Sequence, residues 1–243
     1  MPTDAGIAKP QRGFVIAVAM TVASWIFVLA GAGMGMSPWG MSVLVIPRHG
    51  GGMMMAVDWT ATYAVHMVVM WWIMMLAMML PGVLLAIRLR WTSVQCSPEF
   101  LGVYATVWFG FSVFATGLQY AFQSASWFDA MRMLSVNNAL SVCLLVVAAL
   151  PQGLLLLRAH RRTSGTPNER ARSASNYAVR CLIYSASMML LMFIGGLMNL
   201  VWTAGLSLWA AIQKSPNGTI IAPASALIIC LLVGANIFLN SKY

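Results

Sequence analysis

Residues 66–81 read His66-Met67-Val68-Val69-Met70-Trp71-Trp72-Ile73-Met74-Met75-Leu76-Ala77-Met78-Met79-Leu80-Pro81, an apolar run carrying one imidazole, six thioethers and two indoles. On a helix the i, i+4 row His66, Met70, Met74, Met78 winds beside a second row, Met67, Trp71, Met75, Met79, so half the cylinder presents sulfur or nitrogen lone pairs. The run is too long and too apolar for a soluble surface helix, and the rest of the chain is built in the same way.

The composition is 60% hydrophobic and 8% charged over 243 residues, far from the roughly 25% charged residues of a soluble domain. An integral membrane protein follows. The net charge of +9 would suggest nucleic acid in a soluble chain, but here the basic residues collect in particular loops, the pattern membrane topology produces. A nucleic-acid partner is not expected.

Apolar segments long enough to span fall at 13–32, 60–87, 101–123, 136–158 and 219–240. The stretch 178–214 is too long for one crossing, and Gly195-Gly196 near its middle predicts two short helices broken there. The expected fold is therefore an all-α, polytopic transmembrane bundle of seven segments, or six if 178–214 is one tilted helix. The first span, behind Lys9 and Arg12, is longer than the apolar core of a cleavable signal and reads as a retained anchor.

Arginine and lysine set the orientation. Lys9 and Arg12, then Arg88 and Arg90, then Arg158, Arg161, Arg162, Arg170, Arg172 and Arg180 alternate as an N-inside chain requires. The loops 31–59 and 124–135 then face outward, the periplasm if the membrane is a bacterial inner membrane. Three parts follow: a four-helix half over 1–158, a polar basic cytoplasmic linker over 159–177, and a three-segment half over 178–243. The linker's charge also suits anionic lipid headgroups, and the lipid bilayer itself is the first expected partner.

The outer loop 31–59 contains Met34, Met36, Met41, His49 and Met53-Met54-Met55, with glycines between them, and ends at Asp58. Glycine lets backbone fold closely around a ligand, and methionine is unusual in a water-facing loop. A thioether is a soft ligand suited to Cu(I), needs no deprotonation, and forms no disulfide in an oxidising compartment. Packing of the same methionines onto the bundle or a partner is the other reading. His66 is an ionisable group inside a span, a functional hypothesis by default, although a hydrogen bond to a neighbouring carbonyl would also account for it. Asp58 suits a helix cap better than a ligand, since a hard carboxylate matches Cu(I) poorly.

An internal echo aligns Met74-Met75-Leu76-Ala77-Met78-Met79-Leu80-Pro81-Gly82 with Met188-Met189-Leu190-Leu191-Met192-Phe193-Ile194-Gly195-Gly196, each ending in a helix breaker. Inverted repeats with interrupted helices are a recurring way to build a site in mid-membrane, although in a chain this rich in Met and Leu such an echo also arises by chance. Enzyme signatures are missing: five acidic residues, no nucleophile with a base, no phosphate loop and no dinucleotide fingerprint argue against catalysis. The four cysteines, Cys96, Cys143, Cys181 and Cys230, are scattered singly, which disfavours disulfides and thiolate zinc.

Met70-Trp71 through Met74-Met75-x-Ala77-Met78-Met79-x-Pro81, paired with Phe193-x-Gly195-Gly196-x-Met198-Asn199-x-x-Trp202, resembles the uncharacterised bacterial family of predicted metal-binding integral membrane proteins over residues 13–214. The resemblance implies a metal. Such proteins commonly carry a cysteine cluster before the Gly-Gly-x-Met-Asn motif; here Cys181 matches its first cysteine, but Tyr184 and Ser185 stand at the next positions. What remains is a soft-metal set: Met34, Met36, Met41, His49 and Met53, Met54, Met55 to capture copper, and His66, Met70, Met74 and Met78 to hold it. Asp58, Trp71, Met198, Asn199 and Trp202 would support it. The competing expectation is a non-catalytic accessory subunit of a respiratory or photosynthetic membrane complex, with other membrane subunits as partners.

Overall fold

A computed structural model describes residues 8–31, 59–89, 96–129, 134–135, 140–150, 174–196, 199–214 and, toward the C-terminus, 224–225, 227–232, 234–235 and 238. Its helices are α1 (Ala8–Leu29), α2 (Ala61–Arg88), α3 (Pro98–Ser124), α4 (Leu140–Leu150), α5 (Ala174–Gly195) and α6 (Leu200–Gln213). A two-residue antiparallel pair, β1 (Phe128–Asp129) with β2 (Leu134–Ser135), follows α3.

The helix starts are written locally. The Thr60 hydroxyl accepts from the Tyr63 N–H at 3.2 Å and caps α2; Asp58, the residue expected there, lies outside the described residues. Ser97 caps α3 in the same way, with Pro98 in the first turn and Glu99 beside it, where a negative charge meets the positive end of the helix dipole. Asn199 caps α6 with one side-chain oxygen, which accepts from Val201 N–H at 3.1 Å and Trp202 N–H at 3.4 Å.

The break expected at Gly195-Gly196 is present. α5 ends at Gly195, Gly196 takes φ +85°, and its N–H closes back onto Met192 O at 2.9 Å. The left-handed conformation is inexpensive only for glycine. The other half of the echo behaves differently, because α2 runs through Pro81-Gly82 to Arg88 without interruption.

α2 is the hub: α1, α3 and α6 all pack on it, while α5 packs on α3 and touches α6. Residues Met74 through Leu80 are buried without a gap, so α2 is enclosed on all sides at that level. The bundle's outside is apolar, with Val65, Phe114, Ile183 and Leu208 each more than half exposed, while Ser112, Thr116, Gln119, Asn199, Thr203 and Ser207 are buried. Polar inside and apolar outside is the arrangement a bilayer selects.

α1 (over Arg12–Leu29), α2 and α3 are long and apolar enough to cross a membrane. α5 bends by 43° between Tyr177–Ile183 and Met188–Ile194, and counted as one broken span it brings the number to four. Seven segments are therefore more than the described helices supply. α4 has 11 described residues of the expected 136–158, and α6 has 14 residues, about 21 Å, short of a 30 Å hydrocarbon core.

Candidate functional site

The six methionines of α2, Met67, Met70, Met74, Met75, Met78 and Met79, are all at most 1% exposed. Met188, Met189 and Met192 on α5 are buried as well, and α5 reaches α2 through the Trp71 and Phe193 rings, whose centroids are 5.1 Å apart. Thioethers in such surroundings are neutral, polarizable and able to ligate a soft cation without releasing a proton. No cluster of three His, Cys, Asp or Glu side chains occurs among the described residues, so a metal held there would depend on sulfur from methionine.

Polar groups fix this sulfur-rich interior at defined points. Gln119 of α3 is fully buried; its Oε1 accepts from Trp71 Nε1–H at 2.9 Å and its Nε2–H donates to Met67 Sδ at 3.7 Å. Trp72 Nε1–H reaches Ala105 O at 2.9 Å, which ties α2 to α3 a second time. Ser112 and Thr116 bond carbonyls one turn back in their own helix, so their hydroxyls are satisfied locally. Nearer the start of α3, the Tyr104 hydroxyl and Cys181 Sγ are 3.3 Å apart, with the Phe100 and Trp108 rings packed on Tyr104.

The turn before Pro81 explains why that proline does not end α2. Proline has no N–H, so Ala77 O loses its helical donor. Trp25 Nε1–H of α1 donates to it at 2.9 Å. The next two carbonyls also receive side-chain donors: Ser207 Oγ–H reaches Met78 O at 3.3 Å and Lys214 Nζ–H reaches Met79 O at 2.9 Å. Gly82 makes room for this docking, since a Cβ there would come within 3.0 Å of Ala211 Cα and of the Lys214 stem. Three chain-distant donors thus converge on one turn of the methionine helix.

Of the residues expected from sequence, Met70, Trp71, Met74 and Met78 lie together in the buried interior. Asn199 is buried but engaged as the α6 cap, and Trp202 is half-buried on the first turn of that helix. His66 is exposed. The row it shares with Met70 shifts by about 40° per four residues, so His66 stands about 120° around the cylinder from Met78. Met34, Met36, Met41, His49, Met53, Met54, Met55, Asp58 and Met198 lie outside the described residues.

Gln119, Trp25, Ser207 and Lys214 were not singled out by sequence. Gln119 and Lys214 carried a usable signal, a polar group within or at the end of an apolar segment. Trp25 carried none, because only the fold brings it to Ala77.

A family model described as PpoB2, a copper chaperone, matches residues 68–237, well over half of the 243-residue chain. The chain belongs to the PpoB2 copper chaperone family. The match opens within α2 and takes in Met70 through Met79 together with the break at Gly196. It is not the family of predicted metal-binding integral membrane proteins that the motif pair resembles; where that resemblance implied metal in general, PpoB2 specifies copper. No curated protein and no solved structure matches the chain.

Proposed function

We propose that this chain is a multi-pass inner-membrane copper chaperone that holds Cu(I) among the buried thioethers of α2 and passes it to a metalloenzyme at the membrane. The observation that carries this reading is the coincidence of the copper chaperone match with the six buried methionines of α2, five of which lie inside the matched range. Copper is cargo here, and neutral thioethers suit cargo: they stabilise the +1 state and compete poorly with thiolate or imidazole sites on an acceptor.

Met34, Met36, Met41, His49 and Met53 to Met55 of the loop 31–59 would capture the ion on the outer side. His66, exposed near the start of α2 and next to buried Met67, would receive it, and Met70, Met74 and Met78 would retain it. Asn199 and Trp202 serve by fixing the α5–α6 break. The chain has no catalytic role in this account.

The test is anaerobic titration of the detergent-purified protein with Cu(I) against a chromogenic competitor, with elemental analysis of protein isolated without added metal. Stoichiometric Cu(I) binding is the expected result. No bound copper in either measurement would refute the proposal.

A further inference from the structure

Lys214 follows α6 and sends its ammonium onto the methionine helix. Nζ donates to Met79 O at 2.9 Å and stands 4.0 Å from Met79 Sδ, with its stem passing over the bare face of Gly82. A carbonyl oxygen and a thioether sulfur of one residue therefore both face the Lys214 amino group. Lys214 is not on the surface side of α6 with Leu208 and Ile212; it is half-buried against α2. Helix repair does not account for the contact: Ala77 is the carbonyl that Pro81 orphans, and Met79 O does not need Lys214 for that reason.

We infer that Lys214 is a built-in occupant of the Pro81 end of the buried methionines of α2, where Met79 adjoins Met78, a cation carried by the chain that opposes a second cation there and so weakens Cu(I) retention. This deepens the copper reading and rests on it. A Cu(I) taken up by that sulfur would lie within a few ångströms of the ammonium, and two positive charges that close repel each other even where solvent partly screens them. Cu(I) bound to Met79 would have to displace the ammonium, whose long stem can swing away toward the end of α6. Weakened retention favours release, which a carrier needs and a store does not.

Ag(I), a soft monovalent ion that does not change oxidation state under these conditions, is the probe. Its affinity is measured by competition on wild type, Lys214→Gln and Lys214→Arg in the same detergent. Lys214→Gln retains a side-chain N–H on a stem one bond shorter and removes the charge, and it should bind at least about tenfold more tightly; Lys214→Arg should stay within about threefold of wild type. Equal affinity for all three proteins, or equal tightening by Gln and Arg, would overturn the inference while leaving copper binding intact. Absence of Ag(I) binding in both wild type and Lys214→Gln would overturn the copper reading and this inference together.

A second readout needs no variant beyond the one used for assignment. Lys9, Lys214 and Lys242 are the chain's lysines, so reductive 13C-methylation yields few NMR signals. The Lys214 signal, assigned by its loss in Lys214→Arg, should shift on addition of Ag(I). A Lys214 signal unmoved at saturating Ag(I) would contradict displacement.

Discussion

The Trp25 indole N–H donates to Ala77 O at 2.9 Å, the one carbonyl of α2 that Pro81 deprives of its helical donor. The proline and the tryptophan are therefore a matched pair from two helices. Trp25→Phe keeps most of the packing and removes the N–H, leaving a buried carbonyl unpaired at a cost of about 1–3 kcal/mol. In a Pro81→Ala background the helix regains its own donor, and the same substitution should cost clearly less. Unfolding in detergent, monitored by circular dichroism across the four proteins, checks this; equal costs in both backgrounds would contradict the pairing.

Gln119 holds Trp71 and Met67 in a single buried node. Gln119→Leu should destabilise the bundle by about 1–3 kcal/mol, because Trp71 Nε1–H loses its acceptor in an apolar interior. Adding Trp71→Phe should recover part of that loss, since the orphaned donor goes with it. A double variant whose cost is the simple sum of the two single losses would show that the bond does not couple them.

Residues 66–81 were readable as a buried helix because nearly every side chain there is apolar or a thioether, and α2 spans Ala61–Arg88 where 60–87 was expected. The Gly195-Gly196 break was readable because two adjacent glycines weaken a continuous helix by about 1 kcal/mol each, in an apolar stretch already too long for one crossing. Pro81-Gly82 looked like an equivalent break and is not one. Its lost bond is replaced by Trp25, 52 positions away, and the same turn is held by Ser207 and Lys214, 129 and 135 positions from their partners. No local pattern encodes such pairs. The exposure of His66 escaped the i, i+4 reading because that row drifts around the helix, and a row that starts outside can end inside.

Cys96 lies outside the spanning helices, only 3% exposed, and burial pushes its thiol above the ordinary cysteine range. The neutral form is the one the fold favours. Stability from this group is complete below the unfolded thiol's value of about 8.5 and is lost as pH rises toward the higher folded value. Alkylation of native protein followed by peptide mass spectrometry should show Cys96 reacting more slowly than in unfolded protein at about pH 8, with its rate rising only at higher pH. A native rate equal to the unfolded rate would show that the thiol is not held neutral.

Gly13 of α1 lies directly against the backbone of Cys96 and Ser97, and a Cβ at this position would overlap the Cys96 carbonyl. Backbone cannot yield as a flexible side chain can. Gly13→Ala should therefore destabilise by about 1–3 kcal/mol or more, although alanine is the better helix former. Gly110→Ala, where a Cβ meets open space, is the control and should be neutral or slightly stabilising. Comparable melting temperatures for the two variants would remove the case for close contact between α1 and the α3 start.

The central claim is that sulfur on α2, and not merely an apolar helix, holds the copper. Met70, Met74 and Met78 are all buried, and Met→Leu conserves their volume at less than about 1.5 kcal/mol each while removing the lone pairs. The decisive measurement is Cu(I) affinity of the triple Met70→Leu/Met74→Leu/Met78→Leu protein beside wild type, with folding followed in the same samples. The account predicts a loss of at least about tenfold in affinity with the fold retained. A folded triple variant that binds Cu(I) as tightly as wild type would contradict it.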